Sequence, residues 1–171
     1  MEDEFSGLVE MHSSEIFRYL WRMTYHSQDA EDCLQETFFK AYRAYPRLTP
    51  DSNHRAWLYR IATNTARSLL KKNTRQNRLM QEWGPALQQE DSEPKDRFVE
   101  RETIELVLTE VDALPAKQKA SLILRKYHDL SYAEIGEITD ASPDAARANA
   151  YLALKTLRLR LRDEALEKVT Q

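Results

Sequence analysis

Five residues of one short segment are of the types that meet nucleic acid. In HRAWLYRIATNTARSLLKK, His54 to Lys72, a helix turning about 100° per residue places Trp57, Arg60, Asn64, Arg67 and Lys71 within one stripe of about 80°. Lys and Arg neutralise backbone phosphates, and an Asn amide can read a base edge. An aromatic ring gives an unstacked base a surface to lie on. Leu58, Ile61, Ala62, Thr65 and Leu69 form the neighbouring stripe and predict the packed face. The plainer alternative is a solvated basic face with Trp57 in the core. Against it, no acid occurs from Arg55 to Arg78, whereas solvated helices usually mix signs.

A second constellation is LSYAEIGEITDASPDAARANAYLALKTLR, Leu130 to Arg158. A short helix capped by Ser131, with Glu134 completing a capping box, is followed by a tight turn and a longer helix capped by Ser142 and started by Pro143. This is the layout of a helix-turn-helix; an ordinary helical hairpin is the alternative. Ala133, Ile135 and Ile138 are expected to pack the first helix, and Ala146, Ala150, Ala153 and Leu157 the second. The exposed start of the second helix then offers Asp144, Ala145, Arg147, Ala148 and Tyr151.

The third is DAEDCLQETFFKAYRAY, Asp29 to Tyr45. Its apolar positions are Ala30, Cys33, Leu34, Phe38, Ala41 and Tyr42; its other face carries Asp32, Gln35, Glu36, Phe39, Lys40 and Arg43. Asp32 and Glu36, at i and i+4, suit an acidic protein-binding face, a solvated face or a carboxylate metal site. No His stands at ligand spacing in this helix, which disfavours the metal. No Gly-rich phosphate loop, nucleophile elbow or Cys/His metal spacing occurs, so no catalytic residue and no cofactor is expected.

The elements that must position these residues read as helices throughout. Three glycines in 171 residues leave little for the turns of a strand-rich fold, so the class is all-α. Leu8, Met11, Ile16, Tyr19, Leu20 and Met23 predict a helix from Phe5 to Tyr25. A second runs from about Asp29, capped by Ser27 or Asp29, until Pro46 ends it. The basic segment forms a third helix to about Lys72. The polar, acidic stretch Gly84 to Asp96 predicts a flexible linker. Residues 96–114 read as helix, then Pro115 starts another that runs to about Tyr127. The last helix runs to about Leu166. The expected organisation is a domain over 1–78, a linker over 79–95 and a domain over 96–171.

Charge follows this division. Residues 54–78 carry seven bases and no acid, and residues 115–162 nine bases and five acids, within a chain of net charge -3. Residues 1–53 and 79–114 carry ten acids each. A lone cysteine, Cys33, permits no internal disulfide and is expected as a small packed residue. The acidic N-terminus lacks the apolar core of a signal peptide, and no apolar run is long enough to span a bilayer. A cytoplasmic location without membrane insertion is expected.

Together the three motifs resemble the sigma-70 family of bacterial transcription initiation factors, and in particular its extracytoplasmic-function (ECF) group. DAEDCLQETFFKAYRAYPRL resembles the region 2 helix that docks on RNA polymerase. HRAWLYRIATNTARSLLKK resembles the helix that meets the −10 promoter element. The stretch from Leu114 to Leu161 resembles region 4, whose helix-turn-helix reads the −35 element. The resemblance implies that Asp29, Asp32, Gln35, Glu36 and Phe39 bind the β′ clamp helices of core RNA polymerase, with the β flap as a second contact. It assigns Asn53, Arg55, Trp57, Arg60, Asn64, Arg67, Lys71 and Lys72 to −10 DNA, residues 47–53 being the loop that captures a flipped base. It assigns Ser142, Asp144, Arg147, Ala148, Tyr151 and Lys155 to −35 DNA, with Arg158 near the backbone. It also implies an anti-sigma partner, through which the protein can be held at the membrane. The recognition helix departs from the family in being weakly basic: Asn149 and Leu152 stand where Arg is common, and Ala146 where Val is common.

Three functions remain in view at this level. The first is a sigma factor that directs core polymerase to promoters and helps open the −10 region. The second is a stand-alone helix-turn-helix regulator, which has no use for the acidic Asp32/Glu36 face. The third is a helical metal-dependent hydrolase built on those carboxylates.

Overall fold

The computed structural model describes residues 2–49, 51–83 and 106–170. Among them the secondary structure is helical: α1 (Glu2–Thr24), α2 (Ser27–Ala44), a 3-10 turn (Tyr45–Arg47), α3 (His54–Trp83), α4 (residues 106–112), α5 (Ala116–Tyr127), α6 (Tyr132–Thr139) and α7 (Pro143–Thr170). No strand occurs among the described residues.

Helices α1, α2 and α3 form the first unit. Ile16, Tyr19, Leu20 and Met23 of α1 meet Ala30, Cys33 and Ala41 of α2 and Leu58, Tyr59, Ala62 and Ala66 of α3 in one core. Two departures from the expected stripes occur. Met11 is 75 % exposed and Tyr42 45 % exposed. Met11 lies about 90° or more off the line through Leu8, Ile16 and Tyr19, and Tyr42 lies at the rim, edge-on to Phe5.

The ends of these helices are set locally. The cap of α2 is neither Ser27 nor Asp29 but His26, whose ring Nδ1 accepts the Asp29 backbone N–H at 3.3 Å. Pro46 sits in the 3-10 turn that follows α2, as its missing N–H requires. Asn53 Oδ1 accepts the Ala56 N–H at 3.0 Å and so caps α3. Helix α3 does not stop near Lys72 but continues to Trp83. Apolar periodicity fades there, but no helix breaker occurs until Gly84 and Pro85. The first five residues of the expected linker are therefore helical, and the rest of it lies outside the described residues.

The second unit is α4 to α7. Ser131 and Glu134 form the expected capping box, and Ser142 Oγ accepts the Ala145 N–H at 3.1 Å at the start of α7. Pro115 is the residue immediately before α5 rather than inside it. Ile135 and Ile138 are buried, as are Ala146, Ala150 and Ala153, whereas Ala133 is exposed. Ala133 lies about 160° round α6 from the buried Ile135. Gly136 has a strict role: a Cβ there would lie 2.6 Å from the Ala141 carbonyl oxygen. The turn between α6 and α7 folds back onto that bare backbone, with the Ala141 N–H bonded to the Gly136 carbonyl at 2.9 Å.

The two units share a core. Leu124, Leu130, Ile135 and Ile138 join the same apolar cluster as Tyr19, Leu58 and Tyr59.

Candidate polymerase and nucleic-acid interface

Helix α3 keeps its predicted division. Leu58, Ala62 and Thr65 are buried, with Ile61 and Leu69 half-buried. On the adjacent face Arg60, Asn64, Arg67, Lys71 and Lys72 are exposed. Trp57 is half-buried and packs against the core, so one part of the ring packs and the other faces outward. Arg60, Asn64, Arg67 and Lys71 present three cations and an amide in one stripe of about three turns, and Lys72 is exposed to one side of it.

Arg55 does something the helical pattern does not show. Its Nε and Nη2 donate to Glu15 of α1 at 3.0 and 2.8 Å, and Nη2 also reaches the His128 carbonyl at 3.2 Å. Burial pushes the Glu15 carboxyl up. The hydrogen bonds from Arg55, His12 and Tyr59 outweigh it and leave Glu15 titrating below its ordinary range.

Tyr59, two residues after Trp57, is fully buried. Its hydroxyl lies 3.1 Å from Glu15 Oε2 and 2.8 Å from His128 Nδ1. Ionised Glu15 can only accept, so Tyr59 donates to it and His128 Nδ1–H donates to Tyr59. His128 Nε2 is then left as a buried acceptor without a hydrogen-bond partner among the described residues. Burial, with Arg22 nearby, lowers His128 to about 4.

On α2, Asp32, Gln35 and Glu36 are exposed, and Phe39 is 58 % exposed. The Phe39 ring thus shares one helical face with these carboxylates. Asp29 stands at its border, half-buried, accepting from Asn73 of α3 at 3.3 Å. Lys40 pairs with Glu36 at 3.1 Å and donates to Thr65 of α3 at 3.4 Å. These links fix the acidic face of α2 relative to the basic face of α3. Cys33 is buried, and burial with the neighbouring Asp29 and Asp32 charges raises its thiol to about 11, which keeps it in the unreactive thiol form.

At the start of α7, Ser142, Asp144, Arg147, Ala148, Tyr151 and Lys155 are all exposed. Ser142 is also the helix cap. Arg147 lies over the Tyr132 ring at 5.3 Å, which holds the guanidinium at the mouth of the helix-turn-helix.

Residues that the motifs did not single out join the two units. Lys119 of α5 is only 3 % exposed, and its ammonium donates to the Met23 carbonyl at the end of α1 and to Asp112, at 2.6 and 2.5 Å. A buried cation there satisfies a carbonyl left open by the end of α1. Nothing local in the sequence marks the links from Lys119 to Met23, Glu15 to Arg55 and His128 to Tyr59, because they span 40 to 96 residues.

Two sequence-family models match the chain in the order of these surfaces: Sigma-70 region 2 over residues 8–76 and Sigma-70, region 4 over residues 104–157. The chain belongs to the sigma-70 family. Its relatives place it in the ECF group. The ECF RNA polymerase sigma-E factor of Salmonella typhimurium is 33 % identical over 140 residues, covering 77 % of this chain and 73 % of the relative. The RNA polymerase sigma-H factor of Pseudomonas aeruginosa is 30 % identical over 173 residues, covering 95 % of this chain and 86 % of the relative. Among solved structures, the sigma factor RpoE of Bartonella quintana, crystallised in complex with the anti-sigma factor NepR, shares the fold with a TM-score of 0.69. It is 19 % identical, with 93 % of this chain and 97 % of that chain covered. The sigma factor reading thus stands over the stand-alone regulator, and the protein is a transcription initiation factor. None of the described helices is long and apolar enough to cross a membrane.

Proposed function

We propose that this sigma factor docks on core RNA polymerase through the exposed face of α2 and reads promoter DNA with α3 and the start of α7. The observation that carries this reading is the fixed pairing of two opposite surfaces. Asp32, Gln35, Glu36 and Phe39, with Asp29 at their edge, face one way on α2. Arg60, Asn64, Arg67, Lys71 and Lys72 face outward on α3, to which α2 is bonded through Lys40 and Asn73. A polymerase held by the acidic face thereby receives a cationic track at a set distance.

The division of work follows the proposed domains, 1–78 and 96–171 with 79–95 between them. In the first, the cations of α3 hold backbone phosphates while Asn64, Trp57 and the loop ending at Asn53 meet bases released from the duplex. Capture of unstacked bases offsets the cost of unpairing. In the second, Arg147, Ala148 and Tyr151 meet the major groove of the −35 element, flanked by Ser142, Asp144 and Lys155. Opening of this kind is binding chemistry and needs no catalytic group or cofactor in the sigma factor. The β flap is the proposed polymerase contact of the second unit. An anti-sigma protein is the proposed inhibitor, acting in the cytoplasm or from the membrane.

In vitro transcription with bacterial core polymerase and a pool of random promoter fragments tests the reading. Transcripts that start downstream of a shared pair of spaced elements support it, provided Asn64→Ala or Arg67→Glu abolishes them. A core enzyme that stays silent and does not bind the chain overturns it.

A further inference from the structure

Arg147 is the only cation between Pro143 and Leu154, the first three turns of α7; the next base is Lys155. About 12 Å of helix separates the two. With Asn149 and Leu152 uncharged, base reading by the start of this helix hangs on one guanidinium. An exposed Arg left to itself samples many rotamers. Here it has a seat. Arg147 Cζ lies 5.3 Å from the centroid of the Tyr132 ring, and Arg125 Cζ of α5 lies 5.0 Å from the same centroid. Arg125 also donates from Nη1 to the Leu130 carbonyl at 3.1 Å, between α5 and α6. The ring is fixed in turn: Tyr132 is the first residue of α6, directly after the capping-box Ser131, and is half-buried against the core.

We propose that Tyr132 is a positioning residue for promoter reading: its ring, backed by Arg125, sets the plane in which Arg147 meets one base pair of the −35 element. Discrimination at that pair then depends on the first helix of the helix-turn-helix as well as on the second. This rests on the assignment of Arg147 to −35 DNA given above. The reason is geometric. Arg distinguishes a base by aiming two N–H donors at one base edge, which demands a fixed guanidinium plane. A ring face attracts the guanidinium without consuming a donor. A carboxylate partner also fixes an Arg, but it takes up those donors. The Tyr132 ring therefore orders Arg147 before DNA arrives and leaves its donors free.

The test is base preference, measured with the full chain on core polymerase. A promoter recovered from the random pool is varied at each −35 position, and the transcripts are counted by sequencing. The pair that Arg147 reads is the one whose preference disappears in Arg147→Ala. Tyr132→Leu keeps an apolar side chain against the core but has no ring face; Tyr132→Phe keeps the face. Preference at the Arg147 pair is expected to fall at least about fivefold in Tyr132→Leu and to stay within about twofold in Tyr132→Phe. Preferences at the other −35 positions should hold in both, which also shows that the variants are folded. A preference at that pair that survives Tyr132→Leu, or is lost in Tyr132→Phe, overturns the proposal. So does an equal loss at every position, which is what a merely structural role gives. Should Tyr132→Leu yield no transcript, Arg125→Gln decides: a loss confined to the Arg147 pair supports the proposal, and an unchanged preference overturns it. If Arg147→Ala alters no preference, the assignment of Arg147 to a base falls, and the role of Tyr132 falls with it. If Arg147→Ala removes one and Tyr132→Leu does not, the positioning role alone falls.

Discussion

Arg55 and Glu15, forty residues apart, form a two-pronged ion pair: Nε and Nη2 of the guanidinium meet the two oxygens of one carboxylate. The same carboxylate accepts from Tyr59 and from His12, the latter at 2.6 Å. One acid thus ties α1 to the first turn of α3. Glu15→Ala would leave Arg55 half-buried without its partner and Tyr59 without its acceptor. A loss of about 2 kcal/mol in urea unfolding is expected, with Glu15→Gln losing less because it retains an acceptor oxygen.

Stability is expected to fall on the acid side, and His128 is the reason. Tyr59, Tyr19, Glu15, Arg18, Arg22 and Arg55 surround it. Its pKa is lowered from 6.5 to about 4 in the folded chain, so the unfolded chain binds the extra proton first. The contribution is complete above pH 6.5 and is lost as pH falls towards 4. It amounts to something on the order of 2 kcal/mol, after discounting the usual conversion for solvent screening. Melting temperature measured against pH should decline across that window, and His128→Phe should flatten the decline. The drop that remains below about pH 4.5 belongs to Glu15, whose lowered pKa makes its contribution vanish at still lower pH. An unchanged slope in His128→Phe would assign the decline to other groups.

Gly136→Ala places a methyl group 2.6 Å from the Ala141 carbonyl, which is backbone and cannot swing aside. A cost above about 2 kcal/mol is expected. The damage should be confined to α6, α7 and their turn. Hydrogen exchange should quicken there and stay slow in α1 to α3.

Asp32 and Glu36 are exposed and take no part in the core. Asp32→Arg with Glu36→Arg should therefore change unfolding free energy by less than about 0.5 kcal/mol. Affinity for core polymerase should drop at least tenfold, measured by titration with labelled core enzyme. Loss of folding together with binding would leave no special role for this face.

Much of the architecture is legible before any coordinates. The Ser131–Glu134 capping box, Ser142 at the head of α7, and Pro46 after α2 all act where their local chemistry places them, since a cap needs only the next three residues. The division of α3 into a buried stripe and a cationic one is equally local, because the helical repeat alone decides which residues share a face. The exposure of Met11 and Ala133 was not readable. A helix has one apolar direction only once its neighbours are placed, and neither residue points at one.

The sequence by itself determined which segments are helices, where most of them start, and which residues of α2, α3 and α7 face outward with charge, because each of these depends on neighbours within about four residues. It also placed the sigma-70 motifs in order. Tertiary structure alone decided that Arg55 turns to Glu15, that Tyr59 and His128 meet inside the seam, that Lys119 closes the end of α1, and that Glu134 and Asp140 reach Asn53 and Arg60 at the start of α3. Those pairings join residues 40 to 96 positions apart. No period, cap or spacing records such distances; they exist only once the apolar faces of the helices have been buried against one another.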